Sequence, residues 1–153
     1  MRAQPLSQTE PFFGYYTVSI YEDGRIRFPV DALRQLKEQG ENHIRPAILP
    51  HPLAIFLIPE GRWPEWFRWA KKEFRILDTP EGHRIYLAGS KKTSLDDQGR
   101  FRLPRNMMAY AGIQEDDRIV LLLGVGKHFE VWNKDLYGQM TPSDQPNSKP
   151  PTE

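Results

Sequence analysis

Glu22-Asp23-Gly24-Arg25-Ile26-Arg27-Phe28-Pro29 and Asp97-Gln98-Gly99-Arg100-Phe101-Arg102-Leu103-Pro104 are one pattern written twice. Both read Gly-Arg-apolar-Arg-apolar-Pro, and the second copy follows the first by 75 residues. Gly24 and Gly99 supply the positive φ that a tight turn between strands requires. The alternation has period two, so Arg25 and Arg27 face one side of a strand and Ile26 and Phe28 the other. Arg100 and Arg102, against Phe101 and Leu103, repeat the arrangement. Pro29 and Pro104 end the strands and pre-set φ for a helix start.

The match extends outward from both copies. A strand-like stretch precedes each (15–21 and 91–95), and a short helix-like stretch follows (30–39 and 105–111), stopped by Gly40 and Gly112. Each copy then closes with a hairpin, 45–58 around a His51-Pro52 turn and 118–132 around a turn over 124–127. Between the copies, 62–77 carries Trp63, Trp66, Phe67, Ala70 and Phe74 at three- and four-residue spacing, which predicts one amphipathic helix with an aromatic face. Asp78-Thr79-Pro80-Glu81 predicts a second helix, with Thr79 as N-cap, running to about Leu87. The expected order is ββα-ββ-αα-ββα-ββ, an α+β fold made by tandem duplication with a helical pair between the repeats.

Composition narrows the function classes. The chain has 153 residues, 21 Lys+Arg against 20 Asp+Glu, and no cysteine. Disulfides, thiol nucleophiles and thiolate zinc sites are therefore excluded, and the composition suits a reducing compartment. No apolar run approaches the roughly 20 residues that span a bilayer, and residues 1–11 lack the pattern of a secretory leader. Balanced charge can still be segregated. Residues 84–105 carry Arg84, Lys91, Lys92, Arg100, Arg102 and Arg105 against Asp96 and Asp97, whereas 115–153 carry seven acidic residues against four basic ones.

The two copies, the paired helices between them and the ending Lys127-His128-Phe129-Glu130-Val131-Trp132 resemble the MraZ family of bacterial transcriptional regulators. That family is related to the AbrB and SpoVT swapped-hairpin proteins. The resemblance covers nearly all of 13–139. It implies a pseudo-symmetric double-wing (swapped-hairpin) β-barrel from two tandem ββα-ββ repeats. It also implies a ring-like homo-oligomer, no cofactor, and binding to short direct repeats in promoter DNA, usually of a cell-division and cell-wall gene cluster. A cytoplasmic, nucleoid-associated protein follows from the same resemblance. The expected divisions are a flexible N-terminus 1–11, a first repeat 12–60, a helical insert 61–89, a second repeat 90–139 and a disordered Pro-rich tail 140–153.

The family's motif is Asp-x-x-x-Arg, with the arginine at the DNA surface. Asp96 to Arg100 fits it; in the first copy Tyr21 stands where the aspartate belongs, and Glu22 or Asp23 could substitute only from other positions. The resemblance thus makes Arg25 and Arg100 the base readers or phosphate anchors, supported by Arg27, Arg102, Lys91 and Lys92, with Gly24, Asp96 and Gly99 shaping the loops. Lys91 and Lys92 also fit a role as edge-strand lysines that block aggregation.

Other readings have less in the sequence. An oligomeric structural or interaction module of the same fold that has lost DNA reading is motivated by Tyr21. Asp96-Asp97 and Glu115-Asp116-Asp117 could suggest a divalent-metal enzyme, but adjacent carboxylates in turns are usually just solvated. His43, His51, His83 and His128 show no metal-ligand spacing, and no carboxylate that would orient a catalytic histidine is evident. Arg62, Arg68, Lys71, Lys72 and Arg75 read as a solvated helix face.

Overall fold

A computed structural model describes residues 10–139. The tail expected over 140–153, and all of the N-terminus expected over 1–11 except Glu10 and Pro11, lie outside the described residues. The first repeat supplies β1 (Phe12–Ser19), β2 (Arg25–Arg27), α1 (Val30–Glu38), β3 (His43–Ala47) and β4 (Ile55–Pro59). The second supplies β5 (Thr93–Ser94), β6 (Arg100–Arg102), α4 (Arg105–Tyr110), β7 (Ile119–Gly126), β8 (Phe129–Trp132) and a closing α5 (Lys134–Gly138). The fold is α+β, with mostly antiparallel pairing throughout.

The strands pair between the repeats as much as within them. β2 and β6 form a separate two-stranded ribbon, with Ile26 opposite Phe101 and an arginine opposite an arginine on either side. β1 pairs with β7 and β3 with β5, so the first strand of each repeat lies beside the third strand of the other. β4 pairs with β8 around Phe56 and Glu130. The backbone bonds flanking the ribbon are reciprocal: Phe28 N donates to Gly99 O and Leu103 N to Gly24 O, both at 2.9 Å. Gly24 and Gly99 have φ of 86° and 80°. A Cβ at Gly24 would meet Met108 Sδ at 3.2 Å, and one at Gly99 would meet a Leu33 methyl carbon at 3.1 Å, so each turn packs against the other repeat.

The barrel implied by the resemblance is not closed by hydrogen bonds. The larger sheet is open, in the order β1-β7-β8-β4-β3-β5. Its edges are managed separately. β5 has only two residues, and β1 is sealed at Phe13 by the side-chain amide of Gln35 on α1. That amide accepts from Phe13 N at 3.1 Å and donates to Phe13 O at 2.9 Å, as a neighbouring strand would.

Burial follows the period-two pattern. Ile26, Phe28, Phe101 and Leu103 are at most 5% exposed, and the four ribbon arginines face solvent. Phe12, Phe129, Phe28 and Phe101 form a line of ring contacts at 4.7, 5.3 and 5.6 Å through the main core. Pro29 and Pro104 sit one residue outside their helices, with ψ of 154° and 136°, and turn the chain from strand to helix.

The insert differs from its expected form. The helix predicted over 62–77 stops at Glu73, giving α2 (Trp63–Glu73). Phe74 leaves helical geometry, and a 3-10 turn (Arg75–Asp78) follows. The break lets Phe74 stack edge-on against His51 at 4.8 Å and brings Leu77 fully inside. Thr79 caps the next element as predicted, its Oγ1 accepting from Gly82 N at 3.1 Å. α3 (Pro80–Gly82) then widens into a π-helical stretch over His83–Leu87. Arg62 is not part of a solvated helix face. It donates to the carbonyls of Gly126 and Glu10 and to Gln39 Oε1, and lies 4.3 Å over the Phe12 ring. Burial lowers its pKa, and it ties the insert to both repeats.

Because Phe28 touches aromatic rings from both strands of the second-repeat core, Phe28→Ala should destabilise the fold by about 3–5 kcal/mol in urea unfolding. A loss under about 1.5 kcal/mol, the range of tolerated core swaps, would show that the repeats do not depend on this contact.

Candidate nucleic-acid interface

The ribbon brings Arg25, Arg27, Arg100 and Arg102 onto one face. Arg25 stands opposite Arg102 and Arg27 opposite Arg100. From ladder dimensions the two turn-proximal arginines, Arg25 and Arg100, are about 8 Å apart at Cα, so one compact patch carries four guanidinium groups.

The two turns share one backbone. In the second, Gly99 N donates to Asp96 O and Asp96 N to Arg100 O. In the first, Gly24 N donates to Tyr21 O and Tyr21 N to Arg25 O. They differ in where the carboxylate comes from. Asp96 Oδ1 accepts from the backbone N–H of Gln98 and Arg100, both at 2.9 Å, and Oδ2 accepts from Arg100 Nε at 2.7 Å. In the first turn Asp23 takes the arginine's backbone N–H and pairs with its guanidinium from two residues before it. Its Oδ1 accepts from Arg25 N at 3.1 Å, and its Oδ2 lies 2.9 Å from Arg25 Nε and 3.5 Å from an Arg102 terminal nitrogen. A carboxylate thus lies beside Arg25 although none stands at Tyr21. Spacing alone does not reveal this, because a turn lets carboxylates two or four residues away approach the same N–H.

Both carboxylates are held below the usual aspartate range. For Asp96 the Arg100 backbone N–H is the main cause and the Arg100 guanidinium the next. For Asp23 the Arg25 backbone N–H leads, helped by the charges of Arg25 and Arg102. Surface pairs of this kind contribute little stability. Their bearing is on orientation: a carboxylate at Nε leaves the two terminal nitrogens of the guanidinium available for a forked contact elsewhere. Arg27 has no ion-pair partner among the described residues.

Lys91 and Lys92 are exposed just ahead of β5, four or more residues from the Asp96 turn. Lys92 is close enough to Glu60 to help lower its pKa, an effect dominated by the Arg45 guanidinium. Arg45 grips Glu60 at 2.7 and 3.0 Å and donates to Ser90 O at 3.1 Å. This pair joins the insert's flank to β3 and went unrecognised in the sequence.

The histidine reading needs correction. His128 does have a carboxylate partner: Nε2 lies 3.1 Å from Glu130 Oε2, while Nδ1 accepts from Trp66 Nε1 at 2.9 Å. Glu130 Oε1 also accepts from Trp132 Nε1 at 2.8 Å. His128 stands one residue ahead of β8 and Glu130 within it, and this two-residue spacing was the available signal. Both ring nitrogens are therefore committed within the protein, and neither is free to act as a base. These groups border a groove of about 820 Å³ with walls that include Phe56, Trp69, Phe74 and Trp132, and no residue of the arginine ribbon lines it. Among the described residues no three His, Asp or Glu side chains are grouped to hold a metal ion, and no helix is long and apolar enough to cross a membrane.

Residues 86–153 match the MraZ family, described as "MraZ protein, putative antitoxin-like". The chain is 33% identical to the "Transcriptional regulator MraZ" of Syntrophomonas wolfei subsp. wolfei, over 82% of this chain and 83% of that protein. It is 29% identical to the protein of the same description from Alkaliphilus metalliredigens, over 84% and 85% of the two chains. For that of Burkholderia vietnamiensis the identity is 30%, over 82% and 84%.

A carboxylate with a depressed folded-state pKa stabilises its contacts fully above its unfolded value, and that contribution is lost as pH falls through the folded one. The Nε–H signals of Arg25 and Arg100 should therefore persist in NMR spectra down to the ordinary aspartate value of about 3.9 and vanish only below it. A midpoint at or above that value would refute the clasp.

Proposed function

The chain belongs to the MraZ family, and on that premise we propose that it is a sequence-specific DNA-binding transcriptional regulator. It acts as a ring-like homo-oligomer on short direct repeats in promoter DNA of a cell-division and cell-wall gene cluster, and it is cytoplasmic and nucleoid-associated. In this reading 12–60 and 90–139 are the two halves of a double-wing barrel, and the insert 61–89 spaces them.

The observation that carries the reading is the ribbon with four arginines on one face, Arg100 hydrogen-bonded at Nε by Asp96 and Arg25 ion-paired there with Asp23. A two-stranded ribbon fits the major groove, which is about 12 Å wide. A guanidinium presenting its two terminal nitrogens can bond guanine O6 and N7 together, or a phosphate. Arg25 and Arg100 are the readers. Arg27 and Arg102 flank them, Lys91 and Lys92 approach phosphates, and Gly24, Gly99 and Asp96 hold the turns. One such contact is worth about 1–3 kcal/mol of discrimination, too little for a specific site. Several subunits on evenly spaced repeats multiply it through effective concentration. The nearly balanced charge supports the same requirement, since non-specific attraction per subunit is weak. The rival reading, a module of this fold that has lost DNA recognition, rested on Tyr21, and Asp23 removes its motive.

Fluorescence anisotropy with duplex DNA from upstream of the protein's own coding sequence tests the proposal. Arg100→Ala should weaken binding by about 1–3 kcal/mol per engaged subunit, and affinity should fall steeply with salt as counterions are released. Wild-type binding no tighter than that of the variant, with no response to salt, would sink it.

A further inference from the structure

We infer that Asp23 is the positioning residue of the first DNA-reading turn, in place of the family's aspartate four residues before the arginine, and that it couples this turn to the second through Arg102. The inference rests on the DNA-binding reading and deepens it.

Three observations carry it. First, the backbone bonds of the two turns correspond donor for donor, so Tyr21 costs the first turn none of its main-chain geometry. Secondly, the carboxylate of the second turn has a counterpart in the first. In both turns one oxygen accepts from the arginine's backbone N–H; the other accepts from Nε in the second turn and forms an ion pair 2.9 Å from Nε in the first. Placing the carboxylate two residues away rather than four leaves the Tyr21 side chain out of the clasp and 58% exposed. Thirdly, Asp23 Oδ2 reaches across the ribbon to Arg102, whereas Asp96 makes no such bond to Arg27, the counterpart of Arg102. At one end of the ribbon a single carboxylate holds two arginines; at the other it holds one, and Arg27 has no ion-pair partner among the described residues.

The chemical consequence is an asymmetric reader. An antiparallel ribbon with identical ends would present the same donors in both directions along DNA. Here Arg25 and Arg102 are mutually constrained while Arg27 is free to seek a phosphate. The two ends differ, which suits a site with a direction, such as a direct repeat, over a palindrome. The depressed pKa of Asp23 comes first from the Arg25 backbone N–H, and the charges of Arg25 and Arg102 add to it.

The test compares wild type, Arg25→Ala, Asp23→Ala, and Asp23→Ala combined with Tyr21→Asp. The last restores the aspartate at four-residue spacing. Binding to the same upstream duplex is read by anisotropy, and the Arg25 Nε–H signal by NMR. Asp23→Ala should weaken binding about as much as Arg25→Ala, tenfold or so, and lose the Nε–H signal. The double variant should recover most of both. If Arg25→Ala weakens binding while Asp23→Ala binds like wild type, the positioning role is overturned and the DNA reading stands. If wild type does not bind, or Arg25→Ala changes nothing, the DNA reading of this turn fails. The NMR signal then decides whether Asp23 is the clasp: loss in Asp23→Ala with recovery in the double variant upholds it, and an unchanged signal overturns it.

Discussion

Each repeat is completed by the other at the ribbon, where Phe28 N meets Gly99 O, Leu103 N meets Gly24 O, and Ile26 lies opposite Phe101. Strands of three residues cannot be stable alone, and β2 and β6 pair with nothing else among the described residues. Their register is pinned from both faces. Ile26 and Phe101 must reach the core, and a slip of one residue would bury arginines and expose aromatics. The same constraint that closes the core therefore sets four guanidinium groups on a common outer face. Fold and candidate site are one arrangement seen from two sides.

The turns that end the ribbon show how chemistry can be retained while its source moves. Gly24 and Gly99 make the same turn, and in each a carboxylate takes the following arginine's backbone N–H and pairs with its guanidinium, through an Nε hydrogen bond in the second turn and an ion pair in the first. Asp96 sits four residues ahead of its arginine and Asp23 two. What the geometry requires is an acceptor near the turn's N–H groups, and a short loop offers more than one position for it. A motif written as fixed spacing records one solution, which is why the first turn reads as defective in sequence and intact in three dimensions.

The insert is where sequence periodicity was least adequate. The spacing of Trp63, Trp66, Phe67, Ala70 and Phe74 does give a helix with an aromatic face, and Trp66 and Ala70 are buried. Periodicity carries no information about where tertiary contacts become worth more than another helical turn. Phe74 and Leu77 gain more by turning toward His51 and the interior than by continuing α2. Arg62 and His128 show the same limit. Basic or polar in sequence, each is held by groups more than 20 residues away, Arg62 by Gly126 and His128 by Trp66. Long-range pairing of this kind leaves no local signature. The Glu130 partner of His128, two residues on in the chain, did leave one.

The closing helix α5 had no place in the expected order. The duplicated motif, read alone, was enough to determine the glycine turns and the inward apolar and outward arginine faces, and the insert's own sequence supplied the Thr79 cap. These follow from dihedral preferences and side-chain periodicity, which act between residues a few positions apart. Tertiary structure decided that β2 pairs with β6 and not within its own repeat, that the larger sheet stays open with β1 sealed by Gln35, and that Asp23 stands in for an absent aspartate. Those outcomes depend on which distant surfaces meet, and that is settled by burial and hydrogen-bond satisfaction over the whole core.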